Sequence, residues 1–153
     1  MPHIVKSFDQ DLDEIKNVIN EMAGNAETQL SYALQSIDDR DSVLARKIIE
    51  RDIKIDSLYE RILDLSIKLF ALRQPMANDL RFVISTNKIA ADIERIGDQT
   101  KNIAKASRWL AEIPTSKNVL SISNLAKLVQ DSFRKVMNAY NENDSSKAKK
   151  IWL

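Results

Sequence analysis

SVLARKIIERDIKIDSLYERILDLSIKLFAL, residues 42–72, is the stretch from which the type of fold follows. It contains neither glycine nor proline. Its apolar residues recur at spacings of three, four or seven, at Leu44, Ile48, Ile55, Leu58, Ile62, Leu65 and Leu69. This spacing puts them on one face of an α-helix. At about 1.5 Å per residue the helix would be roughly 45 Å long, so other long helices are needed to cover its apolar face.

The rest of the chain has the same character. Of its 153 residues only two are glycine and three are proline, whereas sheet proteins need many turns that usually contain these residues. We predict further helices over about 8–37, 75–110 and 117–140, and a short helix that begins near Asp144. Because short connections favour antiparallel neighbours, the predicted fold class is all-α, an antiparallel three-helix bundle with the start of a second, truncated bundle.

Several polar residues stand where predicted helices begin. Ser7 with Gln10 has the pattern of a capping box for the first helix, and Asp41 can cap the second. Thr115 or Ser116 can cap the fourth.

The sequence also echoes itself at a shift of 103 positions. Asp41-Ser42 then falls on Asp144-Ser145, and Lys47-Ile48 falls on Lys150-Ile151. We interpret 1–113 as one three-helix repeat and 115–153 as an incomplete second repeat, so that the chain is expected to be shortened.

Composition excludes several classes of protein. A formal net charge of +1 gives no strong field for nucleic acid, and the absence of cysteine excludes disulfides and thiolate metal sites. The sequence contains no apolar run that could span a membrane and no signal peptide, so we expect a cytoplasmic protein. It contains no P-loop, nucleophile elbow or HExxH motif, so an enzyme is not expected.

Two acidic pairs are the candidate site, Asp52 with Asp56 and Glu94 with Asp98. Residues four apart on a helix are neighbours, and two such pairs on adjacent helices could hold a hard cation through oxygen ligands. The single histidine, His3, is close to the N-terminus, which argues against a histidine-rich zinc or copper site.

Helix two makes its pair unusual. Asp52 and Asp56 lie between the main apolar stripe and a second stripe, formed by Ile49, Ile53, Leu63 and Ile67. A charge inside an apolar arc costs free energy unless it is paired or coordinated. The alternative to a metal ion is therefore an ion pair with an arginine such as Arg81 or Arg95.

The acidic pair of helix three also has an ordinary interpretation, as exposed surface residues. Glu94 and Asp98 share a polar stripe with Asn102, nearly opposite an apolar stripe of Ile89, Ile93, Ile96 and Ile103. Both acids could simply be exposed. Gly97 costs about 1 kcal/mol relative to alanine inside a helix, and it allows close approach of either a ligand or another helix.

Residues 69–81, LFALRQPMANDLR, and residues 88–98, KIAADIERIGD, followed by Asn102-Ile103-Ala104, closely resemble the PhoU family. The combination of Arg-Gln-Pro, Asp-Leu-Arg and Glu-Arg-Ile-Gly-Asp at this spacing is specific. The resemblance covers nearly the whole chain and is strongest over about 50–106.

The resemblance implies a negative regulator of phosphate uptake that links the ATPase subunit of the phosphate ABC transporter to a PhoR-like sensor kinase at the inner face of the membrane. It implies a metal ion (iron, zinc, magnesium or manganese) on the family's acidic motifs, which here are Asp52, Asp56, Glu94 and Asp98. The supporting residues would be Asp92, Arg81, Arg95, Gly97 and Asn102.

The departure from the family is length, because only the first repeat is complete. The alternative is therefore a truncated helical module that self-associates without signalling. Helix four carries the apolar residues Leu125, Leu128, Val129, Phe133, Val136 and Met137. It should pack on the first bundle or on a second chain, so a homodimer is expected.

Overall fold

The computed structural model describes residues 2–73, 75–114 and 119–152. Over these ranges the chain forms five α-helices: α1 (Pro2–Asp38), α2 (Ser42–Arg73), α3 (Ala77–Glu112), α4 (Val119–Asn141) and α5 (Ser145–Trp152). The described residues form no strand, and the predicted all-α class is confirmed. No helix in the described ranges is long and apolar enough to cross a membrane.

The first helix starts earlier than predicted. α1 begins at Pro2, whereas the sequence predicted a start at Phe8 with Ser7 as the cap. Ser7 lies inside the helix, and a cap residue needs a non-helical backbone, so this prediction was wrong. Proline suits the first turn of a helix because its φ is preset and its missing N–H costs nothing there. The predicted start of helix four and its caps, residues 115–117, lie outside the described residues.

The chain divides into two compact units, and each takes a part of the first three helices. Unit 1 consists of the described residues of 1–26 and 53–97. Its core joins Ile15 of α1, Leu69 of α2 and Val83 of α3, and around them pack Phe8, Leu12, Leu65, Phe70 and Phe82. Leu69 is near the end of α2 and Val83 near the start of α3, so these two helices run antiparallel in this unit.

Unit 2 consists of the described residues of 27–52 and 98–153. One cluster joins α1, α2 and α3 through Ala33, Ala45, Ile48 and Ala104. A second cluster docks α4 on this unit, because Ala126 packs with Leu30 and Leu34 of α1. Helix four therefore packs on α1 and on Ile103 of α3, which is one of the two predicted outcomes.

Asp41 and Asp144, which are 103 positions apart, cap the following helices in the same way. The Oδ1 atom of each accepts hydrogen bonds from the backbone N–H groups two and three residues later, at 2.9 to 3.0 Å. Each donates its own N–H to the carbonyl oxygen five residues earlier. Each also follows a residue with positive φ, 55° at Arg40 and 52° at Asn143. The sequence echo is thus a repeated turn, while the domain boundaries 1–113 and 115–153 stay a prediction.

The cap on α2 can be tested by removing its acceptor oxygen. We expect Asp41→Ala to lower the free energy of unfolding by about 1 kcal/mol, since two backbone donors at the start of α2 lose their partner. Asp41→Asn is the control, because asparagine caps nearly as well. Urea unfolding followed by circular dichroism measures both variants, and an unchanged midpoint for Asp41→Ala would contradict the assignment.

Candidate functional site

Asp52 lies in the buried face of α2. The buried residues of this helix follow one another at spacings of three or four: Ala45, Ile48, Asp52, Ile55, Leu58, Ile62, Ser66 and Leu69. The Asp52 side chain is 1% exposed, so a carboxylate does interrupt the apolar side of this helix, as the sequence indicated. Asp56, one turn later, is half-buried.

Two side chains of unit 2 satisfy the Asp52 carboxylate. The Gln29 Nε2 atom of α1 donates a hydrogen bond to Oδ1 over 3.0 Å. The Lys101 Nζ atom of α3 donates to Oδ2 over 2.7 Å and forms an ion pair with it. Both carboxylate oxygens are engaged, and the ammonium neutralises a charge that the core could not otherwise hold cheaply.

The ion pair at Asp52 is therefore made by a lysine, and not by an arginine such as Arg81 or Arg95, the alternative that the sequence suggested. Arg95 lies in unit 1 and approaches Asp92 at 3.3 Å on the surface, with both side chains more than two-thirds exposed. Arg81 is exposed as well. The Lys101 side chain is 28% exposed, so its stem runs along the protein while its ammonium reaches the buried carboxylate.

Of the apolar stripe predicted for α3, only Ile93 is fully buried. The buried residues of α3 are Val83, Thr86, Ala90, Ile93, Thr100, Ala104 and Ser107. Gly97 is buried among them, whereas Ile89, Ile96 and Ile103 are half-buried. Small residues let neighbouring helices approach closely, so the helix turns this stripe inward. Lys101 stands at the edge of the stripe, and that position is the sequence signal that could have identified it.

The predicted ligands differ in their surroundings. In unit 1, Asp56 and Glu94 are half-buried. In unit 2, Asp52 is buried, while Asp98 and Asn102 are exposed. No group of three or more histidine, cysteine, aspartate or glutamate side chains in the described part of the chain has the geometry to hold a metal ion. The donor set is nonetheless oxygen-rich and suits a hard cation, and the metal site stays a prediction.

Comparison with known proteins identifies the family that this chain resembles. The PhoU domain family matches residues 19–107. The phosphate-specific transport system accessory protein PhoU homolog of Caulobacter vibrioides is 37% identical over 151 residues, which are 98% of this chain and 66% of that protein. The homolog of Pseudomonas aeruginosa is 30% identical and is matched over 95% of this chain and 61% of its own length. These relatives are named as accessory proteins and not as enzymes, in agreement with the prediction.

A solved structure shows the same fold. The crystal structure of PhoU from Pseudomonas aeruginosa matches with a TM-score of 0.89 and 28% identity over 94% of this chain and 69% of that one. The chain spans roughly two thirds of the length of the curated relatives that it matches. Because the PhoU domain matches more than half of the residues of this chain, the chain belongs to the PhoU family.

Proposed function

We propose that this protein is a negative regulator of phosphate uptake and phosphate-starvation signalling. It would act in the cytoplasm as an adaptor between the ATPase subunit of the phosphate ABC transporter and a PhoR-like sensor kinase, at the inner face of the membrane. The observation that carries the proposal is the 37% identity, along 98% of this chain, to a protein named as an accessory of the phosphate-specific transport system.

Unit 1 has a surface that suits such an adaptor. Large apolar side chains are exposed around the connection between α2 and α3: Ile67, Leu72, Met76, Leu80 and Ile84. Leu72 and Met76 are 66% and 79% exposed. Exposed large apolar side chains that are close together in the chain suit a protein interaction site, and an adaptor needs such surfaces more than it needs catalytic groups.

Regulation can be tested in cells of Caulobacter vibrioides depleted of their own homolog. We expect this chain to lower expression of a phosphate-starvation reporter in phosphate-rich medium, because it would restore the inhibitory link to the kinase. The test variant is Leu72→Glu/Met76→Glu, which changes two exposed residues. It should weaken repression while its helical content stays that of the parent.

The competing reading is a helical module that self-associates without signalling, and the exposed apolar residues of α4 favour it. Pull-down with the transporter ATPase and with the cytoplasmic part of the kinase separates the two. A folded, expressed chain that neither binds these partners nor represses the reporter would favour the second hypothesis.

We further propose that the acidic pairs bind a metal ion, with Asp52, Asp56, Glu94 and Asp98 as ligands and iron, zinc, magnesium or manganese as candidates. Asp92, Arg81, Arg95, Gly97 and Asn102 would surround it. Support comes from the family motif and from oxygen donors placed one turn apart on α2 and on α3.

Metal content after reconstitution tests this proposal. Asp56→Ala/Asp98→Ala should lose most of the bound metal while its circular dichroism stays that of the parent, because two of four ligands are gone. Asp64→Ala/Glu112→Ala removes one exposed acid from each of the same helices outside the motifs and should keep the metal. Equal stoichiometry in both double variants would exclude the assigned ligands.

We also propose that two copies of the chain pair through α4. Besides the buried Ala126, α4 exposes five large apolar residues, two of them one turn from Ala126: Ile122, Leu125, Leu128, Val129 and Val136. Five such side chains on one helix are costly in water, and a second copy would cover them.

Light scattering during gel filtration measures the pairing. Val129→Glu should weaken the dimer at least about tenfold, because a carboxylate would be buried in an apolar interface. Asn138→Glu introduces the same charge on the polar side of α4 and should leave the mass unchanged. A monomeric parent at high micromolar concentration would contradict the proposal.

A further inference from the structure

The buried Asp52 carboxylate is paired with a cation, the Lys101 ammonium. It follows Ile48 along the buried face of α2, and Ile48 belongs to the apolar cluster of unit 2. An ionised carboxylate in such surroundings is strongly unfavourable unless a positive charge and hydrogen bonds compensate it. The identity of that cation therefore decides what else the carboxylate can bind.

The two partners of Asp52 have different roles: one orients the carboxylate and the other neutralises its charge. Gln29, itself 4% exposed, holds Oδ1 through a neutral amide and so fixes the orientation of the carboxylate without cancelling its charge. Lys101 holds Oδ2 and supplies the positive charge. One oxygen is thus a fixed hydrogen-bond acceptor, and the other is the position at which a cation binds.

Lys101 is suited to leave this position. Its side chain is 28% exposed, and a lysine ammonium is a strongly hydrated point charge on a flexible four-carbon stem. On Asp52 it contacts Oδ2, whereas an arginine could bind both carboxylate oxygens in a planar fork. The ammonium can therefore exchange Oδ2 for water once another cation neutralises the carboxylate.

We propose that Lys101 is a tethered cation that occupies the Asp52 carboxylate, so that a metal ion gains Asp52 only by displacing the Lys101 ammonium. This inference rests on the metal binding proposed above. The Lys101 ammonium lies 2.7 Å from Oδ2, and a metal ion bound to the same oxygen would be strongly repelled by this positive charge in a buried site. Metal binding is then an exchange reaction, and Lys101 sets the metal concentration at which it occurs.

The exchange predicts that removing the lysine tightens metal binding. The full chain is titrated calorimetrically with Mn²⁺, Zn²⁺ and Mg²⁺, each alone, and with Fe²⁺ without oxygen. Lys101→Met keeps the apolar stem and removes the competing charge, so at least one of these ions should bind at least about tenfold more tightly than to the parent. Lys105→Met removes an exposed charge one turn later on α3 and should change affinity far less.

Thermal unfolding gives an independent readout. In EDTA, Lys101→Met should unfold at a lower temperature than the parent, because Asp52 stays buried without a cation. Lys54→Met, which breaks the exposed pair with Glu21, should change the unfolding temperature little.

Addition of the metal should then raise the unfolding temperature of Lys101→Met more than that of the parent. Asp52→Asn/Lys101→Met should lose this response. If Lys101→Met does not fold, Lys101→Gln takes its place, because its amide can still donate to Oδ2.

The outcomes separate this inference from the metal site itself. Metal binding that depends on Asp56 and Asp98 but is equally tight with and without Lys101 would overturn the exchange and leave the metal site standing. Absence of binding in the parent together with Lys101→Met would overturn both. Binding only after Lys101 is removed, and only with Asp52 present, supports the exchange.

Discussion

A carboxylate buried inside unit 2 ties three helices to one another. Asp52 of α2 accepts hydrogen bonds from Gln29 of α1 and Lys101 of α3, at 3.0 and 2.7 Å. Hydrophobic contacts alone would tolerate sliding one helix past the next, because one apolar side chain can replace another. A slide of one turn, about 5.4 Å, would carry Lys101 away and leave a buried charge uncompensated, at a cost of about 3–5 kcal/mol. The pairing of helices within this unit therefore depends on polar atoms placed in the core.

The small residues on the buried face of α3 follow the same logic. Ala104 packs with Ala33, Ala45 and Ile48, and next to them the Ser36 and Ser107 hydroxyls share a hydrogen bond of 2.9 Å. Close approach brings such short side chains within hydrogen-bond range, and each satisfied hydroxyl can then be buried without penalty. In unit 1, Ser66 donates to Asn87 over 3.0 Å in the same manner. Hydrogen bonds between small polar side chains, and not large apolar side chains, thus fix the orientation of α3 against the neighbouring helices.

The sequence predicted most of the fold and part of the site for identifiable reasons. Helix α2 followed from its apolar period, and the cap at Asp41 followed from its position before that period. The face of α3 followed only in part. Ile93 is buried as predicted, but Ile89, Ile96 and Ile103 are half-buried, although they are more hydrophobic than the alanine and threonine residues that are fully buried. Asp52 was recognisable as a charge needing a partner, yet the partner is 49 positions away in sequence, and only the packing of α3 shows that it is Lys101. Glu94 and Asp98 drew attention through the family motif, since geometry alone made them ordinary.

An exchange of Lys101 for a metal ion would change the surface as well as the core. The displaced ammonium would join Lys105 and Arg108, both exposed on the last turns of α3, where Trp109 is 81% exposed. A buried ion pair contributes almost no field outside the protein, whereas a released ammonium contributes a full charge within a Debye length of about 8–10 Å. A partner whose binding depends on the charge at this end of α3 would then bind differently to the metal-bound protein, without any helix moving. If the protein acts as the proposed adaptor, such a coupling would let it pass on a signal by presenting a different surface.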